Sequence, residues 1–220
     1  MMKMNLNALN EHVVKILIAA RPLDSVSAIS KRIGLSYGWT HYWVAELLKA
    51  GVFERKGRML ALKEKNHFYR AIVSFAKRVL RNNVSLHYQV LELFGLKFAF
   101  TEIDGVFVWT KGGYNIERWR EHYPIFIKTR TSDEKLWVYY TKKLGLNAKK
   151  DSKGTGVFLV LRQEDDFPIE FVEGNPAVPL REAVQFMKKY PYNFQPALEM
   201  VDEMYGIGLK IKYREARTFA

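Results

Sequence analysis

Cysteine is absent from the 220 residues. Its absence excludes disulfides, thiol nucleophiles and cysteine-ligated zinc, and it fits a reducing cytoplasmic compartment. Long apolar runs are missing too: nothing approaches the ~18 residues that a membrane-spanning helix needs, so no membrane partner is expected. The stretch Val13–Ala20 is apolar but short, holds Lys15, and runs into no small-residue cleavage pattern. It reads as a core helix rather than a signal peptide. The shortage of acidic residues is local. Residues 1–85 carry 15 Lys and Arg against 5 Asp and Glu, whereas residues 86–220 carry 20 against 18. The formal net charge of +12 therefore sits almost wholly in the first part of the chain. That asymmetry suggests that one domain meets a polyanion and the other does not.

Catalytic motifs are as scarce as cysteine. The histidines are His12, His41, His67, His87 and His122, and none has a partner at metal-binding spacing. There is no nucleophile elbow. The run Val106–Tyr114 contains Lys111-Gly112-Gly113, where a glycine pair offers a backbone nest for a phosphate or simply a turn after a strand. It lacks P-loop spacing. Glu164, Asp165, Asp166, Glu170 and Glu173 offer carboxylates for a divalent cation, or else line a solvated hairpin loop. Arg118 and Arg120, flanking Trp119, suit either an anion or an exposed helix face. No residue is assigned to catalysis or to a metal, no cofactor is implied, and the chain is not expected to be an enzyme.

Ample core material is present: hydrophobic residues make up 48% and aromatics 14%, too much for a disordered chain. Many Lys, Arg and Glu with few Gln fit a heat-adapted organism. Periodicity predicts a helix over Met4–Ala20, stopped by Pro22. Ser25 caps a second helix through Ile33, ended by Gly34. Ser36 caps a third that runs to Ala50, with Thr40, Val44 and Leu47 inward. Val52–Glu54 and Met59–Leu62 flank the turn Arg55-Lys56-Gly57-Arg58 and read as a β-hairpin. A connector helix follows over Phe68–Leu80, and Asn82-Asn83 marks a domain boundary. Beyond it the expectations are a helix over Leu86–Phe94, a hairpin of Lys97–Thr101 and Val106–Thr110 around Asp104-Gly105, and strands at Pro124–Lys128, Val157–Arg162 and Ile169–Val172. Helices are expected at Asp133–Leu144, Pro179–Tyr190 and Pro196–Tyr205, and a last strand at Leu209–Lys212. The whole is an α+β pattern.

The order helix, helix, turn, helix, hairpin resembles a winged helix-turn-helix. Residues Ser25–Ser36 resemble its first half, and Trp39–Phe53 look like a recognition helix running into the wing. The resemblance implies three parts: a DNA-binding domain over residues 1–65, a linker helix over 66–83, and a mixed α+β domain over 84–220. In that arrangement the third helix enters the major groove. The residues expected at double-stranded DNA are Lys31, Arg32, Ser36, Tyr37, Trp39, His41, Tyr42, Arg55, Lys56 and Arg58. The third helix departs from the usual pattern: it presents Tyr, Trp and His where Arg, Asn or Gln would pair with base edges. The alternative for Trp39, Tyr42 and Trp43 is a protein contact, on the second domain or across a dimer.

The run Gln89-Val-Leu-Glu-Leu-Phe-Gly-Leu96 and the late helix Pro196-Ala-Leu-Glu-Met-Val201 also resemble antitoxin-regulators of the abortive-infection AbiE type. That resemblance implies an autorepressor with a partner toxin of nucleotidyltransferase type. The expected function is a DNA-binding transcriptional regulator, plausibly homodimeric. The competing readings are a nuclease or nucleotidyltransferase targeted by a winged helix, and a winged-helix protein-interaction module.

Overall fold

The computed structural model describes residues 10–81, 83–116, 118–119, 121–209 and 211. It has a mixed α+β fold that divides into two compact units. One holds the chain up to Leu96 together with Tyr140–Gly145. The other holds Lys97–Tyr139 and the chain from Leu146.

The first unit begins with α1 (Glu11–Ala19), capped by Asn10, whose side-chain oxygen accepts from the Val13 N–H at 3.0 Å. Residues 4–9 of the expected helix lie outside the described residues. After Pro22 comes a two-residue strand, β1 (Leu23–Asp24), too short for periodicity to reveal. Next, α2 (Val26–Ile33) is capped by Ser25, whose Oγ accepts from the Ala28 N–H at 3.1 Å, a bond of the kind typically contributing ~1 kcal/mol. Gly34 ends α2 at φ 62°, in the left-handed region that glycine enters without steric cost. α3 (Tyr37–Lys49) follows its Ser36 cap. Strands β2 (Phe53–Lys56) and β3 (Met59–Leu62) form the hairpin, with Lys56 opposite Met59 across the turn. β1 adds antiparallel to β3, giving a three-stranded sheet of order β1-β3-β2. α4 (His67–Arg81) and α5 (Val84–Glu92) complete this part of the chain. The core gathers Val13, Ile16 and Leu17 from α1, Ile29 from α2, Val44 and Leu47 from α3, Leu60 from β3 and Ile72 from α4.

The end of α1 is closed by side chains from far along the chain. The Lys143 ammonium donates to the carbonyls of Ile18 at 3.0 Å and Ala20 at 2.7 Å, and the Tyr140 hydroxyl donates to that of Ala19 at 2.6 Å. These are carbonyls that a helix terminus leaves without intrahelical partners. Burial pushes Lys143 down to about 7, with Arg32 also lowering it and Glu64 and Asp24 opposing.

The second unit is built on a six-stranded mixed sheet of order β6-β7-β5-β4-β9-β8. The strands are β4 (Phe98–Phe100), β5 (His122–Thr129), β6 (Asn147–Lys149), β7 (Gly156–Gln163), β8 (Glu170–Val172) and β9 (Asn175–Ala177). β5 runs parallel to β7 over eight pairs and antiparallel to β4. Helix α6 (Glu102–Trp109) lies against this sheet, and α8 (Leu180–Lys189) and α9 (Pro191–Tyr205) pack beside it. α7 (Glu134–Leu144), preceded by a 3-10 turn at Thr131–Asp133, gives its residues from Tyr140 onward to the first unit.

Four expectations fail here. First, Asp104-Gly105 is not a hairpin turn: Val106–Thr110 belongs to α6 and its C-cap. Asp104 is fully buried and accepts the Phe126 N–H at 2.6 Å, extending the pairing that β4 makes with β5. Gly105 lets the helix approach the sheet, since a Cβ there would lie 3.4 Å from the Phe100 carbonyl oxygen and from Val178. Second, the acidic loop after β7 does not close a hairpin, because β7 and β8 are separated in the sheet by β5, β4 and β9. Third, α9 begins at Pro191 rather than Pro196. Fourth, Leu209 and Ile211 lie outside any strand, while Lys210 and Lys212 fall outside the described residues, as does Asn82.

Candidate nucleic-acid interface

Helix α3 divides cleanly into two faces. Thr40, Val44 and Leu47, at 0%, 1% and 2% exposure, point into the core as the spacing predicts. The opposite face of its first two turns carries Tyr37, Trp39 and Tyr42, which are 56%, 56% and 52% exposed, with His41 and Gly38 also exposed. The helix start is anchored by Ser36, whose Oγ accepts from the Trp39 N–H at 3.3 Å and whose carbonyl accepts from the Thr40 N–H and hydroxyl. Amides at such a helix start carry the positive end of the dipole toward solvent.

The rings of this face hold one another. Trp39 and Trp43 lie nearly parallel, 16° apart with centroids 6.5 Å from each other. Tyr42 stands edge-on to both, at 6.0 Å from Trp39 and 4.9 Å from Trp43. Tyr37 lies 6.0 Å from His41. His12, from α1, completes the cluster at 6.3 Å from Trp39. It escapes sequence reasoning because only the tertiary fold brings α1 beside α3. Ser36, Gly38, Trp39, Tyr42 and Trp43 line an open depression of about 640 Å³.

The β2–β3 turn supplies charge. Arg55, Lys56 and Arg58 are all exposed, and Gly57 turns the chain between them at φ 60°. The carboxylate of Glu54 on the same strand is paired with Lys63, whose ammonium holds it below the usual carboxylate range. On α3, Glu46 is paired with Lys49 at 2.6 Å. Both carboxylates are thus already paired, and Glu54 also feels the charge of Lys56.

Lys31 is exposed on α2, but its neighbour Arg32 turns its side chain inward. The Arg32 side chain is 7% exposed and pairs with Asp24, itself 4% exposed. Asp24 also accepts the N–H groups of Arg21 and Ser25, each at 3.0 Å. Arg32 is thus part of the scaffold that joins β1 to α2, a correction to its expected role at the surface.

In the second unit the anion and metal candidates dissolve into structure. The amides of Lys111, Gly112 and Gly113 donate to the carbonyls of Val108, Phe107 and Thr110, ending α6 rather than forming a nest. The Arg118 side chain is fully buried and pairs with Asp104 at 2.8 Å, facing the rings of Phe107 and Tyr123, so it does not belong to an exposed helix face. Arg120 lies outside the described residues. Glu164 binds Lys128 at 2.8 Å, Glu173 binds Lys111 at 2.9 Å, and Glu170 accepts the Leu180 N–H. Burial would lower Lys128, but Glu164 and Glu182 outweigh it and raise its pKa. Among the described residues no three His, Asp or Glu side chains gather as a cation site, and no helix is long and apolar enough to cross a membrane. No protein-family model, curated protein or solved structure matches this chain.

Proposed function

We propose that this protein is a DNA-binding transcriptional regulator whose first unit acts as a winged helix-turn-helix, with α3 as the recognition helix and the β2–β3 hairpin as the wing. The observation that carries the reading is the exposed face of α3 in the same unit as a hairpin whose Arg55, Lys56 and Arg58 are all exposed. Helix-turn-helix proteins present these two features together to the groove and to the phosphates that flank it. The net charge concentrated in residues 1–85 supports the same polyanionic partner.

Fluorescence anisotropy with labelled random duplex DNA, across a salt series, tests the reading. Log affinity should fall linearly with log salt, and Arg55→Ala/Lys56→Ala/Arg58→Ala should flatten the slope by about 2.7, roughly 0.9 for each phosphate that is no longer neutralised. Replacing Lys188 and Lys189 on α8 should leave the slope unchanged. A wild-type protein without duplex affinity at low salt refutes the proposal.

A further inference from the structure

We propose that the aromatic face of α3 stacks on unpaired bases, so that the preferred target is duplex DNA opened over a few base pairs rather than an intact helix. The inference rests on the DNA-binding reading and names its substrate more narrowly.

From Tyr37 to Trp43 the outward residues of α3 include no Arg, Asn or Gln, the side chains that pair bidentately with base edges. In an intact duplex the edges are what a protein reaches, because the flat faces are buried in the stack. Side chains whose attraction lies in a flat face gain most where base faces are uncovered, as in single strands and openings.

The core face of α3 carries Thr40, Val44 and Leu47, with Trp43 and Leu48 partly buried against the same core, whereas Tyr37, Trp39 and Tyr42 stay exposed. Their mutual packing holds them in place before any ligand arrives, and Trp39 lies nearly parallel to Trp43. Pre-ordered aromatic groups lose little side-chain entropy on binding. A Cβ at Gly38 would meet nothing within 4 Å, so the position borders open space.

Charge selects the occupant. The outward residues from Tyr37 to Tyr42 include no carboxylate. Of the surrounding acidic groups, Glu11 faces Lys15 and His12, Glu46 faces Lys49, and Glu54 faces Lys63. Stacking rings in the same unit as an exposed basic hairpin suit a ligand that has both π faces and phosphates. An apolar protein surface would match the rings but not the turn.

The test compares a fully matched duplex with the same duplex carrying a short central mismatch bubble, with 2-aminopurine in the bubble. Wild type, Trp39→Ala, Trp39→Phe, Tyr42→Ala and the wing triple variant are measured, after circular dichroism melts show each to be folded. Wild type should favour the bubble and quench 2-aminopurine. Trp39→Ala should weaken bubble binding about 5- to 150-fold, the effect expected of one base stack, and weaken matched-duplex binding far less, with the salt slope kept. Trp39→Phe should recover most of that affinity. Equal wild-type affinity for bubble and duplex, or an equal effect of Trp39→Ala on both, overturns the inference and leaves the DNA-binding reading standing. No binding to either DNA overturns both.

Discussion

Asp104 and Arg118 make the sharpest energetic case in the molecule. Both side chains are fully buried and paired at 2.8 Å, and the same carboxylate oxygen also accepts the Phe126 N–H. Removing one partner of a buried ion pair typically costs about 3–5 kcal/mol, because the other charge stays buried without compensation. Asp104→Asn keeps an oxygen for the Phe126 N–H and removes only the charge, so it should cost about that amount. Asp104→Ala also strands the strand amide and should cost a further ~1–3 kcal/mol. Asp104→Asn/Arg118→Met removes both charges and keeps the amide served. Since replacing a buried pair with apolar groups is often neutral or stabilising, the double variant should return to within about 1–2 kcal/mol of wild type. Urea unfolding followed by tryptophan fluorescence reads all three, with the transition of the second unit as the observable. A double variant no more stable than Asp104→Asn would mean that the two charges are not coupled. A cost below about 1 kcal/mol for Asp104→Asn would put the pair in the class of weak surface bridges and refute its structural role.

Two further predictions concern the first unit. Lys143, held down to about 7 by burial, binds its proton less readily folded than unfolded. Stability of this unit should therefore rise as pH climbs from about 7 towards 10.5, by at most about 1.4 kcal/mol per pH unit. Lys143→Met should abolish that rise in pH-dependent thermal melts; a wild-type stability that is flat or falling across the window contradicts it. Arg32→Ala and Lys31→Ala should separate structure from binding. The first leaves Asp24 buried without its counter-ion and should cost about 3–5 kcal/mol in urea. The second, at an exposed site, should leave stability within ~0.5 kcal/mol while weakening duplex affinity. Equal stability of the two variants would deny Arg32 its place in the scaffold.

The elements legible in the sequence are those whose signals are local. Ser25, Ser36 and Gly34 mark helix ends through bonds and backbone angles made within a few residues, and the structure uses all three in that way. The Gly57 turn is equally local, and the inward face of α3 follows from spacing alone. What stayed hidden depends on partners remote in sequence. β1 exists because Asp24 and Leu23 meet β3 nearly forty positions later. Asp104-Gly105 carries a strong short hairpin signal, yet the Asp104 carboxylate accepts the Phe126 N–H and Gly105 packs closely against the Phe100 carbonyl. The same two residue types serve a turn or a helix–sheet contact, and only the tertiary partner decides between them. Arg32 teaches the parallel lesson for the site. A basic pair on a short helix suggests phosphate contacts for both members, but adjacent residues on a helix project about 100° apart, so Lys31 reaches solvent while Arg32 turns inward to Asp24. Charge counted along the chain thus overstates the basic surface by the residues that the fold turns inward. The two-residue turn Gly57-Arg58, by contrast, leaves its tip in water, and Arg55 and Lys56 at the end of β2 are exposed beside it. The exposed basic surface of the first unit accordingly owes more to this hairpin than to α2.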